Sequence, residues 1–215
     1  MNLLDMVLHV DRSVAAVFQE WGWAAWALVF LVIFVETGVV VFPFLPGDSL
    51  LFACGAFAAA QNENTLLFLV VIAAAAVIGN TVNWFIGLKF GQVLVRPRPG
   101  KKPLIHPDDL ERTHRFFERW GGWAVTLGRF LPIIRTLTPF VAGLGNMRFA
   151  PFSVYNALGG VAWTVIFVLA GFFFGNLPWV KANFSWVVLA LIVIPGAPAL
   201  FTVALRAIRA KKTKS

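Results

Sequence analysis

Four ionisable side chains sit in stretches of the chain that are otherwise apolar: Glu36 and Asp48 in one, Arg129 and Arg135 in another. Arginine's planar fork binds phosphate through paired hydrogen bonds and stays charged under all ordinary conditions. Arg129 and Arg135, with Thr136 alongside, are therefore the candidate ligands of an anionic headgroup. The carboxylates suit a different task. Low dielectric favours a neutral acid, whereas a nearby guanidinium favours the ionised one. Glu36 and Asp48 are thus the candidates for coupling proton movement to substrate release, since an anion and a carboxylate compete for the same guanidinium. The alternative is a structural network in which each charge only neutralises another.

The elements that must position these groups are broken ones. Glu36 and Asp48 bracket Pro43, Pro46 and Gly47; Pro132 lies between the arginines, and Pro139 and Gly143 follow them. These six residues are the candidate structural positions of two bends. A bilayer penalises a charged side chain by roughly 2.5–3.5 kcal/mol on insertion scales, and it also penalises unpaired backbone. Both are tolerated inside protein or beside a water-filled cavity. The pattern predicts discontinuous helices or hairpins turning near the bilayer middle, acids inward. A surface loop is the competing reading, because Pro-Gly-Asp marks turns in water as well.

Composition points the same way. Hydrophobic residues make up 59% of the 215 and charged residues 13%, with mean hydropathy +0.79. That predicts an all-α integral membrane protein with one compact domain. The net charge of +8 is concentrated in two places, which the positive-inside rule explains without nucleic acid. The one cysteine, Cys54, can form no intrachain disulfide. His9, His106 and His114 are scattered, so no metal site is expected. The apolar segments hold no histidine, which argues against a membrane lipid phosphatase. Gly143 and Gly145 lack the spacing of a nucleotide-binding loop, and no enzymatic cofactor is expected beyond a proton gradient.

In chain order, residues 1–20 read as an amphipathic interfacial helix, without the basic start and apolar core of a cleavable leader. Trp21, Trp23 and Trp26 mark a headgroup boundary. A first hairpin is predicted over about 24–60 and a polar turn at Gln61-Asn62-Glu63-Asn64. A full crossing is predicted from Thr65 to Lys89, with Gly79, Asn80 and Asn83 as a small, polar packing stripe. The basic stretch 89–119 is expected in the cytoplasm and contains an amphipathic helix from Asp109 to Trp120. A second hairpin follows over about 120–147, then a span from Pro151 to Gly175. A last apolar stretch runs from Phe184 to Leu205 and ends in the basic tail 206–215, also expected in the cytoplasm. The membrane domain thus covers 21–205.

If both basic regions are inside, the last two apolar stretches account for one exit and one return. The segment 120–147 must then leave and re-enter on the same side. A weak internal symmetry agrees. Trp21-Gly22 and Glu36-Thr37 map onto Trp120-Gly121 and Arg135-Thr136 at an offset of 99 (120 − 21). The sequence from Phe85 to Gly91 maps onto Leu169 to Gly175 at an offset of 84 (175 − 91). One crossing between two hairpins makes them enter from opposite faces, a possible inverted repeat. Thr138, Asn146, Tyr155 and Asn156 could line a path or simply bond helix backbone. Glycine-rich faces allow a homo-oligomer.

Two motifs together carry a family resemblance. Glu36-Thr37-Gly38 with Pro43-Phe44-Leu45-Pro46-Gly47-Asp48-Ser49-Leu50-Leu51-Phe52 is one. Gly128-Arg129-Phe130-Leu131-Pro132-Ile133-Ile134-Arg135-Thr136 with Pro139-Phe140-Val141-Ala142-Gly143 is the other. They resemble the DedA family of bacterial inner-membrane proteins, also described as SNARE-associated or VTT-domain proteins, over about Val10 to Leu205. The resemblance implies two facing re-entrant hairpins. It also implies proton-dependent transport of the lipid carrier undecaprenyl phosphate, or lipid scrambling as in eukaryotic relatives. The family's functional acids fall on Glu36 and Asp48, and its arginines on Arg129 and Arg135. A Gly-x-x-x-Trp pattern is approximated by Gly159-Gly160-Val161-Ala162-Trp163, which implies a packing role for Gly159 or Gly160. The partners expected are therefore the bilayer and an anionic polyprenyl phosphate. A carrier of another small solute, a non-selective scramblase and a non-transporting scaffold are the competing functions.

Overall fold

The computed structural model describes residues 17–38, 47–95, 107–184, 186–187 and 189–191. Pro43, Pro46, His9, His106, most of the N-terminal amphipathic segment, most of the last apolar stretch and the basic tail lie outside the described residues.

The described chain runs through eight α-helices: α1 (Trp23–Gly38), α2 (Gly47–Gln61), α3 (Thr65–Val95), α4 (Pro107–Trp120), α5 (Trp123–Leu127), α6 (Pro132–Leu144), α7 (Phe149–Phe174) and α8 (Pro178–Ala182). A 3-10 turn, Gly128–Phe130, follows α5. No strand occurs among the described residues. At 1.5 Å per residue, α3 with 31 residues and α7 with 26 reach about 46 and 39 Å, enough to cross a bilayer. Proline is absent from α3, and Pro151 falls in the first turn of α7, where no helical acceptor awaits its missing N–H. Large apolar side chains such as Val70, Ile78, Phe85, Leu158 and Ile166 point outward. The inner faces carry small or polar residues such as Gly79, Asn83, Asn156 and Gly160.

The shorter helices stop halfway along the long ones. Trp26 packs on Phe68 with ring centroids 4.3 Å apart. Gly38, the last residue of α1, lies against Gly79, the fifteenth of the 31 residues of α3. In the same way α2 begins beside Trp163, in the middle of α7, and ends where Gly175 packs on Ala56. The second broken segment runs the other way. Gly122 lies against Tyr155, near the start of α7, and the 3-10 turn reaches its middle at Gly160. From there α6 runs along α3 until Leu144 meets Gly91. The break between the two pieces is at Leu131, which is extended (φ −118°, ψ 109°). Pro132 then opens α6, a position where its fixed φ suits a helix start.

Two interfaces hold the second arm of each broken segment. A Cβ on Gly55 of α2 would overlap the Val168 carbonyl of α7, and one on Gly171 would overlap the Phe52 carbonyl. Between α6 and α3 the arrangement recurs: Gly143 lies on the Trp84 carbonyl and Gly87 on the Phe140 carbonyl. These glycines let backbones touch, as small residues do between membrane helices. Gly55, Gly87, Gly143 and Gly171 are thus filled by contacts within the chain.

The turns match as well. Gly22 and Gly121 have φ +50° and +54°, and their amides donate to Phe18 O and Phe117 O. Asn62 and Asn146 have φ +54° and +56° and close α2 and α6. Behind them Glu63 N–H donates to Ala58 O and Met147 N–H to Ala142 O, both at 2.9 Å, the six-residue closure of a Schellman motif. The first pair is 99 residues apart (121 − 22) and the second 84 (146 − 62). Some expected boundaries move: α3 continues six residues past Lys89 (95 − 89), α7 begins at Phe149 instead of Pro151, and α4 takes in Pro107 and Asp108 ahead of Asp109.

Candidate functional site

The ends of the broken segments converge where α1 stops and α2 and α6 begin. Arg135, in the first turn of α6, sends Nη2 to Glu36 Oε1 at 2.5 Å and Nη1 to Asp48 Oδ1 at 2.7 Å. One guanidinium therefore ties the end of α1 to the start of α2. The site is enclosed, with Glu36 1% and Arg135 7% exposed. Gly47 lies against the Glu36 carboxylate, so a Cβ here would displace that side chain. Pro139 lies inside α6 and supplies no N–H to the Arg135 carbonyl four residues earlier.

Arg129 sits apart from that clamp. Sequence reasoning groups the two arginines opposite the two acids, but Arg129 pairs with neither carboxylate. Its Nη2 donates to Asn156 Oδ1 at 2.7 Å and to the Ala76 carbonyl at 3.2 Å. The reason is which helix it packs on. The 3-10 turn lies against α7, where Gly159 and Gly160 leave the side chain room: Cβ atoms there would come within 3.1 Å of Arg129 Cδ and 3.3 Å of Nη2. Asn156 is fixed in turn by donating to Val77 O at 3.0 Å and Thr81 Oγ1 at 3.2 Å.

Asn83 of α3 joins the halves directly. Its Nδ2 donates to the Thr136 carbonyl at 2.9 Å and to the Thr37 carbonyl at 3.3 Å, the two threonines related by the offset of 99. Thr136 thus enters the site through its backbone. Of the other expected path residues, Thr138 bonds the Ile134 carbonyl, Tyr155 accepts from Thr126 through its own carbonyl, and Asn146 lies in an exposed turn. Gly143 belongs to the α6–α3 contact and Pro132 to the start of α6.

Trp163 is the residue that sequence reasoning misses as a site member. Its Nε1 donates to Asp48 Oδ1 at 2.9 Å, and its ring lies 5.4 Å from the Arg135 guanidinium carbon. The available signal is that a buried indole N–H requires an acceptor.

Several donors and acceptors in this region are unspent. Arg129 Nε and Nη1, Arg135 Nε and Glu36 Oε2 are buried and have no hydrogen-bond partner among the described residues. Buried polar groups are rarely left so, and three of the four are guanidinium N–H donors, which suit an anion.

Two long apolar helices with outward apolar faces, half-length helices between them and a buried charge cluster at their ends form an all-helical fold consistent with a membrane protein. Comparison with known proteins gives the family. The VTT domain matches residues 45–173. Protein DedA of Escherichia coli K12 is 40% identical over 203 residues, 94% of this chain and 92% of that protein. An uncharacterized membrane protein of Mycobacterium tuberculosis is 36% identical over 186 residues, 86% of this chain and 80% of its own. The inner membrane protein YghB of Escherichia coli is 30% identical over 168 residues, 78% of this chain and 76% of that one. No solved structure matches. The chain belongs to the VTT-domain, or DedA, family and is a membrane protein.

Proposed function

We propose that the protein is a proton-coupled translocase that returns undecaprenyl phosphate, an anionic polyprenyl carrier, across a bacterial inner membrane. The observation that carries this reading is the double use of Arg135. The fork that would grip a phosphate is held by two carboxylates from two different helices. Protonating Glu36 or Asp48 weakens that grip and frees the fork. A headgroup then bridges Arg135 and the unspent donors of Arg129, with its polyprenyl tail left in the bilayer. Loss of the proton restores the clamp and expels the anion. The chain's own residues do this with the proton gradient alone, so the protein is a transporter and not an enzyme.

The membrane architecture belongs to the same proposal. The two broken segments are re-entrant hairpins that enter from opposite faces and meet near the midplane, as an inverted repeat. Support comes from the opposed directions of α1–α2 and α5–α6 along the long helices, from the paired turns, and from the reciprocal glycine contacts. The basic loop 89–119 and the C-terminus face the cytoplasm.

The test is translocation of labelled undecaprenyl phosphate in proteoliposomes bearing a pH gradient, wild type against Arg135→Ala. The variant is expected to lose transport, and equal rates would sink the assignment. A headgroup competition separates the nearest alternatives, because a scramblase ignores the phosphate and a small-solute carrier ignores the lipid. The clamp also favours a second reading, a scaffold whose charges only hold helices together. For a scaffold, exchanging the charges of Glu36 and Arg135 restores function with the fold; for a translocase the fold returns and transport stays lost.

A further inference from the structure

We propose that Trp163 is a positioning residue that retains the Asp48 carboxylate while Arg135 exchanges between that carboxylate and the anion; the role rests on the translocation reading above. Asp48 Oδ1 accepts from two donors, Arg135 Nη1 at 2.7 Å and Trp163 Nε1 at 2.9 Å. The two bonds differ in what they cross. Trp163 and Asp48 belong to α7 and α2, which the reciprocal contacts of Gly55 and Gly171 lock backbone to backbone. Arg135 belongs to α6, which is locked instead onto α3 through Gly87 and Gly143. The Trp163 bond therefore lies within one rigid pair, and the Arg135 bond spans two. When the pairs shift, the bond to Arg135 is the one that breaks.

A carboxylate abandoned by its arginine in an enclosed site is left without compensation. The indole answers this without interfering. It is neutral and donates a single hydrogen bond, so it keeps Asp48 aimed at the site without adding a positive charge that would trap the anion. Its ring face, 5.4 Å from Arg135 Cζ, also gives the guanidinium a place to rest as it swings. Trp163 is only 1% exposed, so its indole N–H is committed to Asp48 and not to solvent.

The substitution that isolates the N–H is Trp163→Phe, which keeps an aromatic face toward Arg135. In proteoliposomes with undecaprenyl phosphate its maximal translocation rate is expected to fall about tenfold, while the lipid concentration for half-maximal rate changes less than twofold. A rate equal to wild type overturns the proposal. A second readout needs no transport. In the full-length, 15N-tryptophan-labelled protein in nanodiscs, the Trp163 indole resonance is the one that disappears in Trp163→Phe. It is expected to persist in Arg135→Ala and to move in Asp48→Asn; a signal unmoved in Asp48→Asn also overturns the proposal. If wild type moves no undecaprenyl phosphate, the translocation reading fails by itself, and the resonance pattern alone decides whether Trp163 holds Asp48.

Discussion

Arg135 places its two terminal nitrogens on acids carried by different helices, and that division sets what each substitution does. Arg135→Lys keeps the charge but replaces a planar fork with a point donor. It is expected to stay folded, with unfolding in detergent close to wild type, and to lose at least tenfold in translocation rate. Arg135→Ala removes one partner of a buried ionic group, a change that typically costs about 3–5 kcal/mol, and should show a clear drop in detergent unfolding temperature. Gly47→Ala tests the same clamp from the other side. Its Cβ would occupy the place of the Glu36 carboxylate, so transport is expected to fall to the level of Glu36→Gln; a fully active Gly47→Ala would show that the Glu36–Arg135 contact is dispensable. The four charges were legible in the sequence because each violates the apolar pattern around it. Which partner each takes was not. Arg129 chooses Asn156 over the acids because its 3-10 turn lies on α7, and no spacing rule encodes that. Trp163 hid because indole reads as apolar while carrying one strong donor.

At the scale of elements, breaks matter more than helices. Gly22 and Gly121 hold positive φ with nothing within 4 Å of where a Cβ would stand. Alanine at either meets no neighbour and suffers only from backbone conformation, about 1–2 kcal/mol. Both variants are expected to unfold earlier by similar amounts, measured as the midpoint of thermal unfolding in detergent; unequal losses would argue against equivalent turns. The Trp-Gly repeat made these two turns legible, and proline made the start of α6 legible. The division of the second segment into α5 and a 3-10 turn was hidden, because Gly128-Arg129-Phe130 has no helix-stop signal of its own and the change of path comes at Leu131, before a proline that suits either reading. The extension of α3 past Lys89 was hidden for a related reason. Lys89 is exposed at the helix surface, and a long charged side chain can reach water from a helix that continues beneath it.

For the whole molecule, the polar turns sort into two faces. Asn176 of the α7 end donates to Ala56 O at 2.9 Å, so the turn after α7 lies on the face where α2 ends. The turn at Asn146 lies at the opposite end of α7. With the basic stretch in the cytoplasm, Asn62→Cys in a Cys54→Ala background is expected to react with a membrane-impermeant thiol reagent in intact spheroplasts, and Glu118→Cys only after lysis. The reverse pattern would invert the proposed orientation. The placement of charge sets the expected cytoplasmic side in the sequence, whereas the cross-pairing of arms, α2 on α7 and α6 on α3, required the three-dimensional arrangement.

That cross-pairing bears on how the protein is made. Gly55 meets the Val168 carbonyl of α7, 113 residues later in the chain (168 − 55). At 5–20 residues per second, the ribosome needs roughly 6–23 s to synthesise the intervening segment. Until α7 is made, α2 has its notch unfilled, and Asp48 lacks first Arg135 and then Trp163 as each is added. The contacts that complete the site therefore form late in synthesis, once most of α7 has left the ribosome.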